Sequence, residues 1–347
     1  MNHRILFCLL LILAMLALAS CGRKEETPEP VPGELPAAEE AIPGETEETP
    51  TDSAEAGSAA EPVPADDNYP MVPLCDAYEL DDKTQRIDGL VYNTDTGSKL
   101  DVYLPSADQA VNGVAPAVIY IHGGTWIEGS RTGMIGMAKK ACCDAGYVFV
   151  SIDYLFVGPE HHCSDMLDEI ATAVEVLRRN AANLHIDSTK KLAMTGHSAG
   201  GHLALMYAYT YENSPVEIGV VCPLAPPTCF DIDKDLLRSY LSANGSLLTI
   251  CEYLSGQEIV DEDISVMKDV SPLYFVKPEN PPTVLVYAER DTTILPGTSQ
   301  MFLEQLAGSG AAYEVFALPN SGHSLDSDSD VLSAAFEKFI ELMEKNL

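Results

Sequence analysis

A chain of 347 residues has room for one large domain or two ordinary ones, and 46% apolar with 21% charged residues suits a globular core. Asp and Glu number 53 against 20 Lys and Arg, a formal charge of −33. That surplus excludes DNA or RNA as substrate and electrostatic docking on anionic lipid, since each needs a basic surface.

Arg4 precedes an uncharged run, Ile5–Ala19. At about 15 residues the run is short for a membrane span and suits a signal peptide. It ends in Leu18-Ala19-Ser20-Cys21, which resembles a bacterial lipobox. Residues 1–21 are therefore expected to be a lipoprotein signal ending at Cys21, the lipidated residue. Two or three acyl chains there would hold the protein on a membrane of the bacterial envelope, its folded part on the extracytoplasmic side.

Residues 22–73 hold 10 of the 23 prolines and 14 acidic residues against Arg23 and Lys24, a net −12. Such a segment cannot bury enough apolar area to offset chain entropy, and it reads as a disordered, self-repelling tether. Residues 74–347 carry −22 and are expected to form one folded domain.

Apolar, β-branched runs recur at Leu100–Pro105, Ala117–Gly124, Tyr147–Tyr154, Lys191–Ser198, Glu217–Pro226, Thr283–Asp291 and Tyr313–Pro319. Helical patterns alternate with them at Met166–Asn180, Gly200–Tyr209, Met301–Gly308 and Val331–Glu344. Strands apolar on both faces and interleaved with helices predict an α/β fold with a mostly parallel central sheet flanked by helices.

Gly196-His197-Ser198-Ala199-Gly200 is a G-x-S-x-G that follows a strand and opens a helix. Its glycines permit a sharp turn that lifts the Ser198 hydroxyl above the sheet. His122-Gly123-Gly124 follows the strand at 117–121, where glycine lets backbone N–H groups approach an oxyanion. The N–H groups of Ala199 and of Gly123 or Gly124 are the expected oxyanion hole. Asp291 and His323 each follow a later strand, and the order Ser, Asp, His is the one expected when three groups meet over one sheet edge.

Together HGGTWIEGS, SIDYLFVGPEH, MTGHSAGGHLALM and NSGHS make residues 91–347 resemble the α/β-hydrolase superfamily, and within it the BD-FAE and hormone-sensitive-lipase-like esterases. The resemblance implies a serine carboxylic-ester hydrolase acting on short-chain or acetyl esters, including those of sugars. An amidase or peptidase on the same machinery, or a binding lipoprotein with an idle triad, are the rival readings. Thr125 after two glycines departs from the lipase-like HGGG, and Leu155 stands where that group's D-Y-R-L-A-P-E-H has Arg. A cap, if there is one, must come from the insert at 227–282.

In this reading His323 takes the Ser198 proton, Ser198 attacks the ester carbonyl, and Asp291 orients His323. Trp126 either walls the acyl pocket or anchors its loop. His122 is expected to brace the oxyanion loop, and His197 flanks the nucleophile. No cofactor is expected, because His197 and His202 lack a carboxylate or thiol to complete a metal site. His161-His162-Cys163 reads as a loop edge, and Asp326, Asp328 and Asp330 as the start of the last helix. Seven cysteines remain beyond Cys21, with Cys222–Cys229 a conceivable bridge.

Overall fold

The computed structural model describes residues 85–105, 113–230, 245–260 and 263–347. The expected signal peptide at 1–21 with Cys21, the expected tether at 22–73, and Cys75 lie outside the described residues.

Among the described residues eight strands form one sheet. They are β1 (Gln85–Val91), β2 (Lys99–Leu104), β3 (Ala117–Ile121), β4 (Val148–Ile152), β5 (Leu192–His197), β6 (Ile218–Leu224), β7 (Thr283–Ala288) and β8 (Tyr313–Leu318). Their order is β1-β2-β4-β3-β5-β6-β7-β8. β2 runs antiparallel to β1 and β4, and every pairing from β4 to β8 is parallel. This is the expected mostly parallel α/β-hydrolase sheet.

The two-sided burial has a simple cause. Successive strand side chains point to opposite faces, so in β3 Ile119 and Ile121 enter one core and Val118 and Tyr120 the other. One face is covered by α2 (Cys163–Arg179), α3 (Ala199–Thr210) and α5 (Pro296–Ser309), which contribute Ile170, Leu203 and Phe302. The other is covered by α1 (Gly136–Asp144) and α6 (Ser329–Asn346), which contribute Cys142, Phe336 and Phe339. The insert supplies α4 (Gly245–Ser255) and the 3-10 turns Ile264–Val270 and Pro272–Phe275.

β1 and α1 are additions to the sequence-based elements. β1 is an edge strand, QRIDGLV, whose polar residues and register shift between Ile87 and Leu90 break the apolar pattern. α1 buries only Ala138 and Cys142, too few to set a helical period. Two helices also start earlier than their apolar runs. Pro296 begins α5 at a position where its missing N–H costs nothing. His162 and Asp165 form a capping box that begins α2 at Cys163.

No Cys222–Cys229 bridge is formed. Cys222 is a thiol within β6, packed into the core on the α1 and α6 face, and burial pushes its pKa up. Among the described residues no helix is long and apolar enough to cross a membrane.

Candidate active site

The C-terminal ends of β3, β5, β7 and β8 come out on one edge of the sheet, where open α/β sheets place their sites. Gly123, Ser198, Asp291 and His323 follow those four strands.

Ser198 has φ 55° and ψ −123°, a conformation a side-chain-bearing residue adopts only under constraint. Two close approaches impose it. A Cβ on Gly200 would lie 2.0 Å from the Ile121 carbonyl oxygen, and one on Gly196 2.5 Å from that of Gly200. Only glycine at both positions lets the β5–α3 turn press against the end of β3. Ser198 N–H donates to the Leu224 carbonyl at 2.8 Å, and its own carbonyl accepts from His202 N at 3.0 Å.

The Ser198 hydroxyl lies 2.9 Å from His323 Nε2, and His323 Nδ1 lies 2.7 Å from Asp291 Oδ2. A carboxylate only accepts, so Nδ1 carries the proton and Nε2 is the base facing the hydroxyl. The other oxygen of Asp291 accepts from the backbone N–H groups of Thr293 and Ile294, both at 2.8 Å, which fixes the carboxylate. This is the geometry in which an imidazole removes a hydroxyl proton as the oxygen attacks an electrophile.

The residues expected to supply the oxyanion donors adjoin the nucleophile turn. A Cβ on Gly123 would stand 3.2 Å from Ser198 Cβ, so the two backbones are in contact. Gly124 has φ +126°, and a side chain there would strike the Glu128 carbonyl. Ala199 opens α3, where helix geometry leaves N–H groups without an intrahelical acceptor.

His122, Trp126 and His197 surround this centre as buried groups bonded to protein atoms. His122 is 1% exposed, stacks on Tyr154 at 4.3 Å and donates from Nδ1 to the Gly123 carbonyl at 2.7 Å. His197 donates from Nε2 to the His323 carbonyl at 2.8 Å, and burial lowers its pKa to about 4. Trp126 is 5% exposed and packs on His202 and Phe230.

Three supporting groups are new. Asp328 occupies the expected N-cap position of α6, but its carboxylate turns away from the helix. It accepts from Asn320 N and Nδ2, both at 2.9 Å, and from Ser321 Oγ at 2.6 Å, which braces the loop that carries His323. Arg131, in the loop after the His-Gly-Gly turn, donates to Asp153 at 2.9 Å and to the fully buried Asp101 at 2.7 Å. The Asp153 carboxylate is thus paired with Arg131, and residue 155 is leucine. Tyr154 holds the His122 carbonyl at 3.1 Å. His162 donates to the Tyr253 carbonyl in α4, so the His161-His162-Cys163 loop edge ties the insert down. Among the described residues no group of three or more His, Cys, Asp or Glu is placed to hold a metal.

The BD-FAE family pattern matches residues 100–306, which carry β2 to α5 and with them Ser198 and Asp291. The chain belongs to the BD-FAE family. Esterase LipC of Mycobacterium tuberculosis is 28% identical over 250 residues, 68% of this chain and 59% of its own length. Esterase LipQ of the same organism is 26% identical over 226 residues, 63% of this chain and 52% of its own. This BD-FAE chain thus spans little more than half the length of these curated relatives. A truncated carbohydrate esterase from gut microbiota superposes with a TM-score of 0.60 at 19% identity, covering 81% of this chain and 98% of that one, which shows a shared fold.

Proposed function

We propose that this BD-FAE domain is a serine carboxylic-ester hydrolase that works through an acyl-enzyme on Ser198. The observation that carries the reading is the continuous chain Ser198 Oγ, His323, Asp291 at 2.9 and 2.7 Å. His323 Nε2 removes the Ser198 proton as Oγ attacks the ester carbonyl. The tetrahedral oxygen is received by N–H groups of Ala199 and Gly123 or Gly124, and His323 returns the proton to the leaving alcohol. Water then repeats the sequence on the acyl-enzyme. Asp291 holds the proton on Nδ1 and stabilises the imidazolium. His122 and His197 support the two loops from beneath.

The proposed substrates are short-chain or acetyl esters, those of carbohydrates included. Phe156 is 39% exposed and stands edge-on to His122 beside the oxyanion turn. Its free face suits the apolar face of a sugar ring. The surplus of acid on residues 74–347 favours neutral over anionic substrates, because a negative field slows the approach of like charge. We further propose that Cys21 is lipidated and that residues 22–73 hold the catalytic domain off the membrane.

A steady-state panel tests this reading: p-nitrophenyl esters of increasing acyl length, acetylated sugars, and the matching anilides. Turnover of acetyl and butyryl esters, with anilides slower and long acyl chains poor, is the expected result. Faster cleavage of the anilides would replace the esterase by an amidase.

A further inference from the structure

The turn that carries the oxyanion donors is held by more than its own backbone. Thr125 and Trp126 follow Gly124 with φ of +53° and +59°, two successive side-chain-bearing residues in the left-handed region. Such a pair persists only where the surroundings over-determine it. The backbone contributes Ile127 N and Glu128 N, both donating to the Gly124 carbonyl, and Val157 N donating to that of Trp126.

A further constraint, on the left-handed pair itself, is a side chain. Trp126 Nε1 donates to His202 Nδ1 at 3.1 Å, the two rings edge-on at 5.2 Å. An indole N–H only donates, so Nδ1 is the lone-pair nitrogen and Nε2 carries the proton, which it gives to the Val270 carbonyl at 2.7 Å. The ring is 0% exposed and must be neutral to make both bonds, in accord with a pKa that burial lowers to about 4. His202 N–H in turn begins α3 by donating to the Ser198 carbonyl. One residue therefore touches three parts of the site: the nucleophile turn through its backbone, the oxyanion turn through Nδ1, and the insert through Nε2. Phe230, also from the insert, packs on both rings at 5.7 and 5.4 Å.

We infer that His202 is a positioning residue for the oxyanion turn: through the Trp126 indole it fixes the left-handed segment after Gly124, and through Val270 it makes the seating of the insert part of that geometry. It touches no reacting atom. Its effect is on the direction of the Gly123 and Gly124 N–H groups, which matters most when negative charge develops, so its loss lowers kcat and leaves KM nearly unchanged. The proposal rests on the serine-esterase reading for its kinetic arm and stands apart from it in its spectroscopic arm.

Trp126 is the only tryptophan of the chain, so protein labelled with 15N-tryptophan shows a single indole N–H resonance. In His202→Phe, which keeps a ring but has no acceptor, that proton is expected to shift upfield and to exchange faster with solvent, with kcat down on the order of 10- to 100-fold. His202→Gln, whose amide reaches the Val270 carbonyl but not the indole, behaves the same way. His202→Asn, which places an oxygen where Nδ1 stood, is expected to restore the indole resonance and most of kcat. Trp126→Phe removes the donor together with part of the buried ring, and lowers kcat with less than additive loss when combined with His202→Phe. An unmoved indole resonance in His202→Phe, or a moved resonance with kcat intact, overturns the proposal. Fluorophosphonate labelling of the wild type keeps the two ideas apart: an unlabelled Ser198 sinks the esterase reading, whereas the indole result is independent of turnover.

Discussion

In the proposed mechanism Ser198, His323 and Asp291 divide one task among three residues, and the carboxylate makes a prediction of its own. An amide in place of the Asp291 carboxylate offers His323 an N–H as well as an oxygen, which allows the imidazole to hold its proton on the wrong nitrogen. Asp291→Asn is expected to lower kcat by roughly 10³–10⁴ with KM little changed, measured on a p-nitrophenyl ester. Asp328 acts one step further out. Its carboxylate collects three hydrogen bonds from Asn320 and Ser321, within three residues of His323. Asp328→Ala frees that loop and is expected to cost about 10- to 100-fold in kcat, while fluorophosphonate still labels Ser198 slowly. Equal kcat in this variant would show that the loop keeps its shape unaided. Ser198, Asp291 and His323, which the structure joins by hydrogen bonds, stood out in the sequence because the proposed chemistry demands particular types in a particular order after particular strands. Asp328, Arg131 and His202 did not, because a loop acid, a loop arginine or a helix histidine has many bland fates, and only the fold says which partners it meets.

At the scale of elements, the steric demand falls on the meeting of β3, β5 and α3. Gly200 sits with its Cα against the Ile121 and His122 carbonyls, where a methyl group would be 2.0 and 2.5 Å from backbone oxygens. Neither oxygen belongs to a flexible side chain, so the clash is relieved only by moving a strand end. Gly200→Ala is expected to destabilise the domain by about 3 kcal/mol or more, read as a lower urea midpoint or as insoluble protein. A variant of wild-type stability would mean that β3 and α3 are not pressed together. Seven strands were legible because each is a short apolar run, six of them buried on both faces and β8 a half-exposed edge. β1 escaped notice because an edge strand mixes polar with apolar residues, and α1 because nine residues with two buried positions carry almost no period. The starts of α2 and α5 were misplaced for a related reason: the apolar stripe begins later than the capping box and the proline that initiate the helices.

For the whole molecule, two features extend beyond the site. His197 and His202 are buried neutral, and burial lowers each from the ordinary 6.5 to about 4. Unfolding exposes them to their ordinary value. Between about pH 6.5 and 4 the unfolded chain therefore binds more protons than the folded one, and stability falls as the pH falls. Each contributes a slope of up to about 1.4 kcal/mol per pH unit in that window. Urea midpoints across pH 7 to 4 are expected to drop steeply in the wild type and less steeply in His197→Asn; equal slopes would mean that His197 is hydrated in the folded state. The charge divides the chain in a second way. Removing residues 1–73 takes away the −12 of residues 22–73 and Cys21, the proposed lipidation site, but no residue of the triad. Such a chain is expected to keep kcat/KM for a soluble ester within about twofold and to leave the membrane fraction, as Cys21→Ser should also do.

The central claim is that one hydroxyl, Ser198, is the nucleophile. Full-chain protein treated with a fluorophosphonate, digested and sequenced by mass spectrometry, tests it most directly. The account predicts one adduct per chain, on the peptide that contains Gly196-His197-Ser198-Ala199-Gly200, with ester turnover lost in step with labelling and no adduct in Ser198→Ala. An adduct on another residue, or full ester turnover in Ser198→Ala, would contradict it.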